Sequence, residues 1–90
     1  SITPSDLTSL LAAHELELPP PLAQRWQTVR CTPFVASFGS RCHFVVARDD
    51  ARVIFFADDE DEFGTATLAP DGTLTLYGLM GDLRDALATF

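Results

Sequence analysis

The chain has 90 residues, 47% of them hydrophobic and 21% charged, and thirteen acids against six bases give a formal charge of −7. That length makes a single domain over residues 1–90, which hides only roughly 60–65% of its unfolded surface, so the core is small. The apolar run of about 18 residues that a membrane span requires is missing, as is the basic-then-apolar start of a signal peptide, and there is too much Leu, Val and Phe for disorder. The expectation is a soluble, cytoplasmic protein.

All six bases are arginine (Arg25, Arg30, Arg41, Arg48, Arg52 and Arg84), and the absence of lysine excludes Schiff-base chemistry through a side-chain amine. An acidic chain repels phosphate backbones, and these arginines form no stripe, so no nucleic-acid partner is expected. A basic protein is the natural complement. Cys31 and Cys42 are too few for a disulfide framework or a paired CxxC zinc site and read as reduced thiols.

Thr3-Pro4-Ser5-Asp6 has the form of a helix start, and Leu7, Leu10, Leu11 and His14 follow at helical spacing, predicting a helix over residues 4–14. Pro19-Pro20-Pro21 closes that stretch, and a short helix from Pro21 to about Thr28 places Leu22 and Trp26 one turn apart. From residue 31 the period becomes strand-like. Strands are predicted over Phe34–Phe38, Cys42–Ala47, Arg52–Ala57, Phe63–Leu68 and Thr73–Tyr77, separated by turns at Gly39-Ser40, Asp49-Asp50, the acidic run 58–62 and Pro70-Asp71-Gly72. Asp82 then caps a last helix with Leu83, Leu87 and Phe90 on one face. The fold class is α+β: two N-terminal helices, an antiparallel meander of about five strands and a C-terminal helix.

Thr and Leu alternate in the last two strands, which reads as a pair of peripheral strands with one wet face. The strands around Val45 and Phe55 leave neither face polar. They demand cover on both sides, from the helices on one and from loops, a second copy or a partner on the other.

Asp58, Asp59, Glu60, Asp61 and Glu62 supply five of the thirteen acids in consecutive positions, and such a run is most often a solvated loop between strands, next a docking surface for a cationic partner, and least often a metal site. Asp49 and Asp50 are lesser candidates on what reads as a neighbouring turn, and Phe63 or Tyr77 is the candidate apolar anchor. An EF-hand is excluded, since Phe63 falls at its glycine position and Ala69 at its terminal carboxylate. No metal ligands or cofactors are assigned.

Cys42 and His43, adjacent on a strand, point to opposite faces and make no nucleophile pair; Cys42 reads as a buried structural residue. His14 reads as a packed or boundary histidine, and Phe34, Phe38, Phe44, Phe55 and Phe56 as core aromatics. A hairpin centred on Gly39-Ser40 sets Cys42 opposite Ser37, far from Cys31. With no GxSxG elbow, phosphate loop or HExxH, no enzyme is expected and no catalytic residue is named.

Three passages together resemble the SUKH superfamily of bacterial toxin-immunity proteins. Leu10 to Pro19 is similar to its opening helix running into a Leu-Pro step, Val53 to Asp59 to its apolar strand opening into an acidic turn, and Phe63 to Gly72 to the following strand and Asp-Gly turn. The resemblance implies a protein that neutralises a toxin, often a nuclease with a basic cleft, with residues 58–62 supplying the attraction. The alternative is a small acidic secretion chaperone or adaptor that dimerises and holds a client.

Overall fold

The computed structural model describes residues 2–90. The element order is α1 (Pro4–Glu15), α2 (Pro20–Val29), β1 (Arg30–Phe38), β2 (Arg41–Asp49), β3 (Arg52–Ala57), β4 (Glu62–Leu68), β5 (Leu74–Gly81) and α3 (Leu83–Thr89). The strands form one antiparallel sheet in the order β1-β2-β3-β4-β5, the meander expected from the sequence. No helix among the described residues is long and apolar enough to cross a membrane.

Local chemistry sets the ends. Thr3 caps α1, its hydroxyl accepting the Asp6 N–H at 3.1 Å, and Asp82 caps α3 by accepting the Asp85 N–H at 2.9 Å. Helix α2 begins one residue earlier than expected, with Pro20 and Pro21 both in a first turn whose N–H groups need no helical partner. Strand β1 also begins earlier, at Arg30. Its register to β2 is broken between Arg30 and Phe34, where Pro33 donates nothing, which an edge strand tolerates. Strand β5 runs past Tyr77 to Gly81, with Gly78 paired to Thr65 and Leu79 to Gly64, and register shifts on either side of those two pairs.

The helices cover one face of the sheet. There Leu7 and Leu11 of α1, Trp26 and Val29 of α2, and Leu83, Ala86 and Leu87 of α3 pack on Val46, Ile54, Phe56 and Phe63. The opposite face gathers Ala36, Val45, Val53, Phe55, Ala57, Ala66 and Leu74, with Cys31 and Phe34 of β1 and Leu76 of β5 at its margin. Its cover comes from the sheet itself. The two edge strands curl towards each other across this face until the Ser37 N–H donates to the Gly72 carbonyl at 2.9 Å and Ser37 bridges Thr73 in parallel. The sequence reading looked to loops, a second copy or a partner for that layer; a curled, nearly closed sheet supplies it.

Two further expectations are corrected. Strand β4 is internal, lying between β3 and β5 with Phe63 to Ala66 buried. The Phe55 ring lies against Gly64, helix α3 contacts this strand, and of the last two strands it is β5 whose residues alternate with solvent. Phe38, read as core, is 41% exposed at the end of β1, and Phe34 and Phe44 are half-buried at the margins of the two clusters.

Candidate functional site

The strand registers give tight turns of two residues at Gly39-Ser40 and at Asp50-Ala51, and a longer tip at 58–61, where Ala57 pairs with Glu62. Asp61 takes a left-handed backbone (φ 54°), a conformation that Asp adopts more readily than most side chains, and the Glu60 N–H donates back to the Ala57 carbonyl at 3.2 Å. The five acids therefore do not form one uniform run. Glu60 and Asp61 stand exposed at the tip, and Glu62 is half-buried as the first residue of β4. Asp58 is half-buried and accepts the Ile2 N–H at 2.8 Å, while Asp59 is paired with the Arg41 guanidinium.

That Asp58 contact brings the start of α1 against the acidic tip. Between them lies a hollow of about 590 Å³, floored by Ile2, Leu10 and Phe56 and rimmed by the carboxylates of Asp6, Asp58, Asp59 and Asp61. Asp6, Ile2 and Leu10 were not among the residues that the sequence singled out for this role. The helix cap at Thr3-Asp6 is visible in the sequence, but its seat beside the β3–β4 tip is a long-range contact.

The remaining candidates separate from this site. Phe63 is 1% exposed, with His14 edge-on at 5.0 Å and the Phe56 ring also at 5.0 Å, so it is a core residue and no anchor. Strand alternation after Glu62 turns it towards the helices. Tyr77 is 65% exposed, mid-way along edge strand β5, with its hydroxyl bonded to Thr67 Oγ1. Asp49 and Asp50 sit at the β2–β3 turn, which six-residue β3 separates from the acidic tip, a span of about 20 Å at ~3.3 Å per residue. They are not neighbours of residues 58–62. Asp49 is also bound at 2.9 Å by Arg25, whose guanidinium lies over the Phe90 ring beside that of Arg52.

Cys42 is exposed, against the buried role expected of it, because strand β2 turns its neighbour His43 inward instead. Cys42 does pair across from Ser37, and both cysteines are free thiols. Burial pushes the Cys31 thiol above its ordinary range, against the opposing pull of the Arg48 guanidinium. His14 is half-buried, with Nδ1 accepting the Leu83 N–H at 3.4 Å. His43 is 7% exposed and stacks on Phe55 at 5.2 Å and on Phe38 at 6.3 Å.

Chemically, the groove offers an apolar floor for a hydrocarbon stem and a ring of carboxylates for a cationic head, the two halves of a lysine or arginine side chain. No known protein family, curated protein or solved structure matches this chain.

Proposed function

We propose that this chain is an inhibitor of the toxin-immunity kind, without catalytic activity of its own, which docks a basic protein through the acid-rimmed groove between α1 and the β3–β4 tip. One observation carries the reading: four carboxylates from two separate elements converge around an apolar floor. A run of charge alone is satisfied by water, whereas acids set around half-buried Ile and Leu side chains match a cationic side chain along its whole length. The SUKH-like passages of the sequence point to the same class of partner, a basic toxin domain. Against such a partner the exposed Glu60 and Asp61 steer the encounter, and the groove receives an arginine or lysine of the toxin. The chaperone alternative has less support, because the second apolar face that it would use is covered by the curl of the sheet.

The test is co-expression with the protein encoded directly beside this chain. Protection from a toxic, basic neighbour by the wild-type chain, and its loss when Asp6 and Asp61 are both replaced by lysine, is the expected result. A harmless neighbour, or undiminished protection by the double variant, overturns the proposal.

A further inference from the structure

Behind the groove, on the side of the tip that faces β2, a second polar cluster has a different composition. A ring nitrogen of His43 and one carboxylate oxygen each from Asp58 and Asp59 lie within 4.8 Å of one another. His43 is more than nine-tenths buried, and its Nδ1 has no hydrogen-bond partner. A buried polar nitrogen left unpaired costs about 1–3 kcal/mol and calls for a cause. Stacking on Phe38 and Phe55, with interplanar angles of 25° and 27°, restrains the plane of the imidazole, and one of its nitrogens already lies within reach of the two carboxylates.

We propose that His43, Asp58 and Asp59 form a binding site for a divalent transition-metal ion, with Zn²⁺ as its representative. One imidazole and two carboxylates suit a borderline ion better than Ca²⁺ or Mg²⁺, which take oxygen ligands. The formal charges of two carboxylates and a dication cancel. Three protein ligands leave at least one position for water. Donor atoms around tetrahedral zinc stand roughly 3.3 Å apart, so a cluster spread over as much as 4.8 Å has to contract by up to about 1.5 Å, a movement that rotation of two aspartate side chains supplies.

The supports around the ligands are already in place. Asp58 Oδ2 accepts the Ile2 N–H, which orients that carboxylate through one oxygen, and Asp59 Oδ2 is paired with the Arg41 guanidinium. Arg41 is the competing cation, but its side chain is 63% exposed and free to turn to solvent when an ion enters. The exposed Cys42 lines the same cleft as His43, Asp58 and Asp59 and is a further soft ligand that the test has to separate from the proposed three.

The cluster shares Asp58 and Asp59 with the rim of the docking groove, but its test needs no partner, and His43 belongs to the cluster alone as Asp6 and Asp61 belong to the groove alone, so the two proposals fail separately. Chelator-stripped protein titrated with Zn²⁺ against a chromophoric competitor, with native mass spectrometry for stoichiometry, should bind one ion per chain. His43→Ala and Asp58→Asn should each weaken binding at least about tenfold, while Cys42→Ser leaves it unchanged. Absence of stoichiometric binding, or equal affinity in His43→Ala, overturns the proposal. Where His43→Ala does not fold, proton resonances of the wild-type histidine rings decide the matter: Zn²⁺ must move those of His43 and leave those of His14, and the reverse overturns it.

Discussion

At the scale of single residues, position in the curled sheet decides what each side chain can be used for. Phe63 and Tyr77 read alike as candidate anchors, yet one lies among the helices and the other in solvent. Phe63→Ala should therefore cost about 3–5 kcal/mol in chemical denaturation and Tyr77→Ala less than about 1 kcal/mol. Gly64 is fixed by space: a Cβ there would meet the Gly78 carbonyl oxygen at 2.6 Å and the Phe55 ring at 2.6 Å, both held by the sheet. Gly64→Ala should destabilise the fold by about 1–3 kcal/mol, seen as a lowered Tm. The two thiols should part company as well. Exposed Cys42 should react with a thiol reagent before Cys31, whose thiol is partly buried and held protonated; a faster Cys31 would contradict the placement of both.

Among the elements, helix α3 and the β4–β5 hairpin each depend on one aspartate. Asp82 accepts the Asp85 N–H at the start of α3, and Asp71 accepts both the backbone N–H and the hydroxyl of Thr73 in the hairpin turn. These hydrogen bonds hold both carboxyls below the ordinary aspartate range, for Asp71 chiefly the Thr73 side-chain bond and for Asp82 chiefly the Asp85 N–H. A carboxyl more acidic in the folded than in the unfolded chain contributes stability that is present above the unfolded value of about 3.9 and is lost as pH falls through the lower folded value. Acid should thus loosen α3 and the 69–73 turn together, followed by amide exchange of Ala86 and Ser37. Asp82→Ala should cost about 1 kcal/mol and remove its share of that pH dependence. The Asp71 turn matters beyond its own hairpin, because Gly72, at φ +87°, offers the carbonyl that ties β5 to β1.

For the whole molecule, element type and order were legible because the signals are local: a capped helical period, proline stops, period-two strands and turn residues. Strand β3 matched residue for residue, since the turn signal at Asp49-Asp50 and the acid run bracket its apolar stretch, although Asp49 itself ends β2 and the turn falls on Asp50-Ala51. What the sequence did not convey is curvature. Two-sided apolar strands are compatible with a partner layer or with a sheet that closes on itself, and the contacts of Ser37 with Gly72 and Thr73 distinguish them. The candidate site was half legible for the same reason. The acidic tip is written in consecutive residues, but Ile2, Asp6 and Leu10 reach it through the docking of α1, and His43 reaches Asp58 and Asp59 through the β2–β3 register. Asp49 and Asp50, close in sequence to a turn, lie at the opposite end of β3.

That separation provides a control within one molecule. Association of the chain with the basic partner proposed for it, followed by stopped flow at low and high salt, should slow about tenfold when Asp6 and Asp61 become asparagine, with a flatter salt dependence, and should be unaffected by Asp50→Asn at the far end. Equal rates for the wild type and the Asp6/Asp61 variant, or a larger effect from Asp50→Asn, would contradict docking at the groove.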